Sequence, residues 1–257
     1  MNVKLQELKS RLRGTWIHHA VWAYKNPPPR NRAEKYDWQT IQTMFRVLHR
    51  NSNCIDVGAH SGAILRHMVA IAPQGRHRAF EPLPHLAQIL RTRFPQVSVH
   101  EAAVSDRRGE SEFLFVESDP AYSGLHPRIY PFADPKVTTI PTATVTLDDV
   151  IPADEAIAFI KLDIEGGEFH ALKGAIATIL RARPIIVFEA GKESTGQYGV
   201  NPDDIYSLGT GTLGYEVSTM ERWLERKPSY TREEYARNWH SGPDYYFIAV
   251  PRERRAH

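Results

Sequence analysis

The residues best suited to chemistry in this chain are one acid and two glycines that follow an apolar run. The run CIDVGAHSG (54–62) contains Asp56, Gly58 and Gly62, and Glu81 closes the next apolar run. Glycine lets a backbone turn tightly and approach a ligand, because it has no Cβ atom. A helix that follows such a turn offers unpaired N–H groups, and an acid ending the second strand accepts hydrogen bonds from ribose hydroxyls. The pattern predicts a nucleoside-binding site.

The acid at the start of this motif indicates which nucleoside would bind. Dinucleotide-binding turns carry Gly-x-Gly-x-x-Gly, whereas here Asp56 stands where the first glycine would be. A carboxylate is unfavourable beside a pyrophosphate but suits a ligand with an amino group and a sulfonium. The sequence therefore favours S-adenosylmethionine over a nicotinamide dinucleotide.

A second group of acids follows a later apolar run. The segment FIKLDIEGGE (159–168) releases Asp163, Glu165 and Glu168 around a double glycine, and Glu189 ends the apolar run after it. Three acids at one turn repel each other unless a cation compensates. Glu168 is equally well explained as a first-turn acid that favours the helix dipole. Asp163, Glu165 and Glu189 are expected to meet Asp56 and Glu81 in one cleft, since ligands of parallel sheets bind beyond the carboxyl ends of the strands.

The elements that position these acids alternate between strand and helix. Strands are predicted at 53–57, 77–81, 97–103, 157–163, 184–190, 214–219 and 245–250, and helices at 37–50, 61–71, 83–94, 167–182 and 202–213. A hairpin formed by 112–116 and 137–140 interrupts the alternation, with a long loop over 117–135. Such alternation is typical of a mostly parallel sheet with helices on both faces.

Composition restricts the class of protein. At 257 residues with 24% charged and 42% hydrophobic residues, the chain is of ordinary size for an α/β domain. The net charge of +2 disfavours a nucleic-acid partner, and the single cysteine excludes an internal disulfide framework. No apolar run approaches a membrane span, and no signal-peptide pattern is present, so a cytoplasmic location is expected. An amphipathic helix is predicted over 3–24, within an N-terminal helical extension (1–50) that precedes the main domain (51–257).

Several motifs together resemble one known family. In chain order they are IDVGA (55–59), FEP (80–82), AAVSD (102–106) followed by Gly109, TLD (146–148), IKLDIEGGE (160–168) with LKG (172–174), and FE (188–189). Their order and spacing are similar to those of the FkbM family of S-adenosylmethionine-dependent methyltransferases. The resemblance implies a Rossmann-like class I methyltransferase fold of seven strands with the last antiparallel, and methylation of hydroxyls on sugars, oligosaccharides or glycosylated natural products. Two residues depart from the family pattern, His60 where Asn is usual and Gly167 where Ala is usual.

Position in this fold assigns roles to the remaining candidates. Asp56, Gly58, His60 and Gly62 are expected to hold the methionine end of the cofactor, Glu81 the ribose, and Ala103, Ser105 and Asp106 the adenine. Asp163, Glu165 and Glu189 are expected to face the acceptor as catalytic residues. Asp163 and Glu189 are also candidate ligands for Mg²⁺, which prefers oxygen. The long loop offers Tyr122, His126 and Arg128 as substrate contacts. The aromatic segment 220–243 either stacks on sugar or seals a contact.

Other functions stay open from the sequence. One alternative is a methyltransferase that acts on a polyketide hydroxyl or an amine. Another is a nicotinamide-dependent oxidoreductase, which Asp56 opposes. A third is a binding module without catalysis. The substrate is expected to be a small molecule or oligosaccharide, and the N-terminal helix makes a homodimer plausible.

Overall fold

The computed structural model describes residues 29–254, which contain ten strands. In chain order these are β1 (Cys54–Val57), β2 (Arg78–Phe80), β3 (Ser98–His100), β4 (Ala103–Val104), β5 (Gly109–Val116), β6 (Val137–Val145), β7 (Phe159–Leu162), β8 (Ile185–Glu189), β9 (Tyr215–Thr219) and β10 (Tyr246–Pro251). The helix predicted over 3–24 lies outside the described residues.

The central sheet has seven strands in the order β3-β2-β1-β7-β8-β10-β9. The pairs from β3 to β8 are parallel, whereas β10 runs antiparallel to both β8 and β9. Every residue of β1, β7 and β8 is buried, as expected of strands that are covered on both faces. The predicted fold class is confirmed, including the antiparallel last strand.

Helices cover both faces of this sheet. They are α1 (Arg32–Val47), α2 (Leu65–Ile71), α3 (Pro84–Arg93), α4 (Leu147–Val150), α5 (Glu168–Lys173), α6 (Ile176–Ala182), α7 (Pro202–Ser207), α8 (Met220–Leu224) and α9 (Arg232–Ser241). Alternate residues of each strand belong to different hydrophobic clusters. Ile55 packs with residues of α5, α6 and α9, and Cys54 packs with residues of α1 and α2. The odd-even alternation of a strand therefore divides the core into two layers.

A small sheet forms the interruption that the sequence predicts. Strands β5 and β6 pair antiparallel over their whole lengths, and β4 adds to β6 in parallel. The segment predicted as one strand at 97–103 is divided into β3 and β4, which belong to different sheets. The predicted hairpin exists, and both of its strands are longer than expected.

Three predicted helices differ from the observed ones. The helix predicted at 61–71 begins at Leu65, since Gly62 has a left-handed φ of 83°. The helix predicted at 167–182 breaks between α5 and α6, at Gly174. A Cβ at Gly174 would lie 2.0 Å from the carbonyl oxygen of Ser105, so the chain passes too close for a side chain. The helix predicted at 202–213 is α7 followed by a π-helical turn, Leu208–Thr212.

Helix α1 is part of the same core as the sheet. Its N-cap Asn31 accepts a hydrogen bond from the Glu34 amide at 2.8 Å, and its buried Met44 packs in the cluster that contains Cys54. The domain boundary at residue 50 stays a prediction, although the contact of α1 with the sheet places it against the main domain. Within residues 29–254, none of the helices has the length and apolar character that crossing a bilayer requires.

Candidate active site

The first turn of the site, residues 58–62, follows β1. Gly58 has φ 73°, and a Cβ there would lie 1.8 Å from the carbonyl oxygen of Asp163. Glycine is required at this position because the end of β7 is so close. This requirement exists whether or not a ligand is bound. His60 also adopts a left-handed φ, of 46°, which costs energy for a residue with a side chain. We call residues 58–62 the glycine turn.

Glu81 fixes the glycine turn through backbone amides. Its Oε2 accepts a hydrogen bond from His60 N at 2.8 Å, and its Oε1 accepts one from Leu83 N at 3.0 Å. Burial raises the pKa of Glu81 to about 7, although both amide hydrogen bonds oppose that rise. The carboxylate is held in place before any ligand arrives and still has lone pairs to offer to hydroxyl groups.

The second turn of the site follows β7, and we call residues 163–168 the acid turn. Glu165 and Gly166 have left-handed φ angles of 59° and 112°. The buried carboxylate of Glu168 accepts hydrogen bonds from Ile164 N at 2.8 Å and Gly166 N at 3.0 Å. Burial raises the pKa of Glu168 to about 8. Glu168 therefore stabilises the turn itself, which is more than a first-turn acid does for the helix dipole.

A buried lysine joins the two turns. Lys161 lies within the apolar strand β7, and its Nζ donates to the carbonyl oxygen of Gly58 at 3.1 Å. The same ammonium lies 3.1 Å from Asp163 Oδ2 and 3.5 Å from Asp56 Oδ1. Burial raises the pKa of Asp56 to about 6, and the charge of Lys161 opposes that rise. A single buried cation thus connects the strand end at β1 with the strand end at β7.

Asp163, Glu165 and Glu189 come together as predicted, with one carboxylate oxygen of each within 4.8 Å of the others. We call these three residues the acid cluster. Burial and the charge of Asp163 raise the pKa of Glu189 well above its ordinary range. Burial opposes ionisation of Asp163 as well, but Lys161 and a hydrogen bond from Tyr246 lower its pKa. Of the two carboxylates, Asp163 is therefore the more readily ionised.

The donor set of the acid cluster is the kind that Mg²⁺ prefers, since all of its ligand atoms are carboxylate oxygens. Two of the three carboxylates already have a cationic partner. Lys161 lies beside Asp163, and the guanidinium of Arg128 forms an ion pair with Glu165. The residues fit a divalent ion by type, but cationic side chains are already paired with two of them.

A cavity of about 230 Å³ lies between the two turns. Seven residues predicted for the site line it: Asp56, Gly58, His60, Glu81, Ala103, Asp163 and Glu165. Neither carboxylate oxygen of Asp56 has a hydrogen-bond partner among residues 29–254. Apolar side chains, among them Phe80, Leu83 and Phe113, form the wall near Ala103. The cavity thus combines anionic groups at one end with an apolar wall.

The other predicted site residues lie near the cavity without lining it. Gly62 packs against the ring of Phe94, and Glu189 lies behind Asp163 in the acid cluster. Ser105 donates its amide to Val145 O at 2.9 Å. Asp106 pairs with Lys173 at 2.8 Å and His170 at 3.2 Å, and the hydrogen bond from Lys173 lowers its pKa to about 2. Ser105 thus pairs with β6, and Asp106 joins this segment to α5.

The long loop covers the cavity with different residues from those predicted. Pro120, Ala121, Ser123 and Leu125 line it. The predicted substrate contacts instead hold the loop. Tyr122 lies under the guanidinium of Arg128, 5.0 Å from ring centroid to Cζ, and the ring of His126 packs 4.5 Å from that of Tyr198.

Among the lining residues that sequence reasoning missed are Asp37, Phe113, Lys161 and Tyr198. Only Lys161 had a signal, because a lysine in the middle of a buried apolar strand requires a buried partner. Asp37 reaches the site from α1, outside the family motifs. Tyr198 comes from a turn of 3₁₀-helix, Thr195–Tyr198, after β8.

The aromatic residues of 220–243 mainly seal the fold. Tyr235 is fully buried, and Trp239 is 8% exposed, in the core layer that contains Ile55. Trp223 lies at the other core layer, where Arg46 stacks over its ring at 5.8 Å. Of the two interpretations of this segment, the structure favours packing for these three side chains.

Comparison with known proteins identifies the family. The methyltransferase FkbM domain matches residues 56–227. A methyltransferase FkbM from Methylobacillus flagellatus has a TM-score of 0.50 at 19% identity, covering 83% of this chain and 48% of its own. A precorrin-6y C5,15-methyltransferase from Geobacter metallireducens has a TM-score of 0.44 at 17% identity, covering 85% and 88%. Among curated proteins no match was found.

The structural similarity and the family match support different conclusions. The chain spans about half the length of the Methylobacillus protein, and at 19% identity that likeness shows the fold. The family match is broader, because residues 56–227 make up more than half of the 257-residue chain. It includes both turns, the acid cluster and the lysine that joins them. The chain therefore belongs to the FkbM methyltransferase family.

Proposed function

We propose that the protein is an S-adenosylmethionine-dependent O-methyltransferase. The observation that carries the proposal is the pair of turns on one cavity, with Glu81 on one side and Asp163 on the other. When bound, S-adenosylmethionine supplies an electrophilic methyl group. Glu81 accepts hydrogen bonds from the ribose hydroxyls. Asp56, whose carboxylate lies 3.5 Å from Lys161 but accepts no hydrogen bond from the described residues, faces the cationic amino-acid end together with Gly58 and His60. The apolar wall near Ala103 suits the adenine.

The acid cluster suits the removal of a proton from an acceptor hydroxyl. Asp163 and Glu165 line the cavity, and Asp163 is the more readily ionised member of its pair with Glu189. The bound cofactor would supply the methyl group to the acceptor hydroxyl, and Asp163 would take up the proton that the hydroxyl loses. Glu189 and Glu165 orient Asp163 and the acceptor. Positioning of this kind accounts for much of an enzymatic acceleration.

For the acceptor we propose a hydroxyl on a sugar, an oligosaccharide or a glycosylated natural product. Polar groups that line the cavity, such as Asp163 and Glu165, suit a polyhydroxylated molecule. A polyketide hydroxyl or an amine is the alternative acceptor. Tyr122, His126 and Arg128 remain proposed substrate contacts, reached if the loop moves. A Mg²⁺ ion at Asp163 and Glu189, and a homodimer, also remain predictions.

Calorimetric titration with S-adenosylhomocysteine tests the cofactor assignment. We expect the wild type to bind and Glu81→Ala to bind at least about 100-fold more weakly, since two hydrogen bonds to a charged group contribute about 3 kcal/mol or more. Glu101→Ala is the matched control, because Glu101 is an exposed acid on the neighbouring strand end that pairs with Arg91. Absence of binding by the wild type would refute the cofactor assignment.

Transfer of a radiolabelled methyl group to a panel of acceptors tests the reaction. The panel contains free sugars, a glycosylated macrolide, an aglycone with one hydroxyl, and an amino sugar. We expect labelled ether on a sugar hydroxyl, and loss of turnover with retained cofactor binding in Asp163→Asn. Labelling of the amine alone would replace the hydroxyl proposal with N-methylation.

A further inference from the structure

The acid cluster meets a cation that comes from the loop over the cavity. Arg128 lies in the segment 117–135 between β5 and β6, and its guanidinium pairs with Glu165. The side chains are only 11% and 15% exposed, so this is a largely buried ion pair. Because separating such a pair leaves an uncompensated charge in a poorly solvated place, the contact is difficult to break.

The position of Arg128 is fixed by its own loop. The loop is tied to β5 by mutual backbone hydrogen bonds between Leu114 and Gly124, at 2.9 and 3.1 Å. It is tied to the other side of the cavity by the amide of His126, which donates to Tyr198 Oη at 3.2 Å. The Arg128 guanidinium also stacks on the ring of Tyr122. The loop that carries Arg128 is therefore anchored on both sides of the cavity, and the guanidinium has a second contact besides Glu165.

A divalent ion would need the carboxylate of Glu165 as a ligand, and Arg128 is already paired with that carboxylate. Asp163, Glu165 and Glu189 are the three residues whose oxygens lie close enough together to ligate one ion, within the described part of the chain. Lys161 is in contact with Asp163, and Arg128 with Glu165. A cation placed among these oxygens would meet two positive side chains within a few ångströms, which repel it.

We propose that Arg128 is the resident cation of the acid cluster, and that a divalent ion and the closed loop exclude each other there. The proposal deepens the proposed function, since it concerns the same acceptor site. With the loop closed, the positive charge beside the acceptor comes from the guanidinium. Arg128 is then a positioning residue that holds Glu165 at the cavity wall. The acid cluster becomes a metal site only when the arginine is withdrawn.

Titration with Mn²⁺ alone, followed by calorimetry and by the electron paramagnetic resonance of the unbound ion, tests this proposal. We expect no saturable binding by the wild type and one new site in Arg128→Met, at least about tenfold tighter than any binding by the wild type. Arg128→Lys keeps the positive charge and should gain no site. Adding Glu165→Gln to Arg128→Met should abolish the new site.

Arg91→Met is the matched control, because Arg91 also pairs with a glutamate, Glu101 at 2.9 Å, but on the exposed surface. It should behave as the wild type does. A folded Arg128→Met, judged by near-ultraviolet circular dichroism, that gains no site would overturn the proposal. So would saturable Mn²⁺ binding by the wild type that Glu165→Gln removes, and this arm needs no arginine variant. S-adenosylhomocysteine binding, measured separately, reports on the cofactor assignment alone.

Discussion

The glycine turn and the acid turn use the same local construction for different purposes. Each contains a glycine and a second residue with left-handed φ, namely His60 in one and Glu165 in the other. Each is closed by a buried glutamate that accepts two backbone hydrogen bonds, Glu81 and Glu168 respectively. Glu81 lines the cavity and Glu168 does not. The comparison teaches that a buried, turn-closing acid becomes a ligand-binding group only when its remaining lone pairs face a cavity.

The largest expected effect comes from removing the cation that joins the two turns. Lys161→Met leaves Asp56 and Asp163 buried without their shared partner, so we expect a loss of about 3 kcal/mol in the free energy of unfolding near pH 8. Because Lys161 lowers the pKa of Asp56, which is about 6 in the wild type, that pKa should be higher in the variant, so protonation should already reduce the loss as the pH falls from 8 towards 6. Urea denaturation at several pH values measures both.

Lys173→Met is the control for that measurement. Lys173 pairs with Asp106 at 2.8 Å but is 42% exposed, so its loss should cost no more than about 1 kcal/mol. Equal losses for the two lysines would mean that Lys161 is not a central connection between the turns.

The next effect separates backbone strain from steric conflict. Gly58 and Gly199 both have φ 73°, but a Cβ at Gly58 meets the Asp163 carbonyl, whereas nothing lies within 4 Å of a Cβ at Gly199. In both alanine variants the left-handed conformation should lower the free energy of unfolding by about 1–2 kcal/mol. We expect Gly58→Ala to lose at least about 2 kcal/mol more in the free energy of unfolding. Similar losses in free energy of unfolding for the two variants would show that the ends of β1 and β7 can move apart without destabilising the protein.

A smaller effect distinguishes the two turn-closing acids. In Glu81→Gln and Glu168→Gln, an amide group replaces one of the accepting oxygens, so each variant should lose about 1 kcal/mol in the free energy of unfolding. Only Glu81→Gln should weaken S-adenosylhomocysteine binding, by about tenfold, because a neutral amide accepts hydroxyl hydrogen bonds less strongly. Equal weakening by both variants would contradict the distinction between the turns.

The smallest effect is a pH dependence that belongs to Glu81. The free protein has a raised pKa of about 7 there, and ribose hydroxyls bind better to the ionised carboxylate. The affinity for S-adenosylhomocysteine should therefore be constant above pH 7 and fall as the pH decreases below it, by at most about tenfold per pH unit. Glu81→Gln should remove the dependence on this group. An affinity that rises with acidity would show that the protonated form binds the ligand.

The sequence predicted most of the site residues that lie at the carboxyl ends of the strands. Periodicity located the strands, and parallel pairing then required Asp56, Glu81, Asp163 and Glu189 to lie at one edge. It could not predict contacts made at a distance along the chain. Asp37 approaches from α1, and Tyr198 from a short 3₁₀-helix, and neither has a local pattern that indicates a site.

The sequence also could not predict close approaches between segments that are far apart along the chain. The helix predicted at 167–182 breaks at Gly174. At that residue the carbonyl of Ser105 leaves no room for a side chain. That carbonyl lies almost 70 positions earlier in the chain. The contact of Arg128 could not be predicted for a similar reason, since Arg128 is directed by its pairing with Glu165 and not by its own segment.

Cys54 gives the protein a built-in chemical reporter. It is the single cysteine of the chain, lies wholly buried in β1 two residues before Asp56, and has a pKa raised by burial. A thiol reagent can reach it only after the centre of the sheet opens, so the rate of modification measures that opening directly. Any ligand that binds the closed sheet should slow the modification in proportion to its occupancy. An unlabelled, unmutated protein could thus be screened against candidate cofactors and acceptors by mass spectrometry.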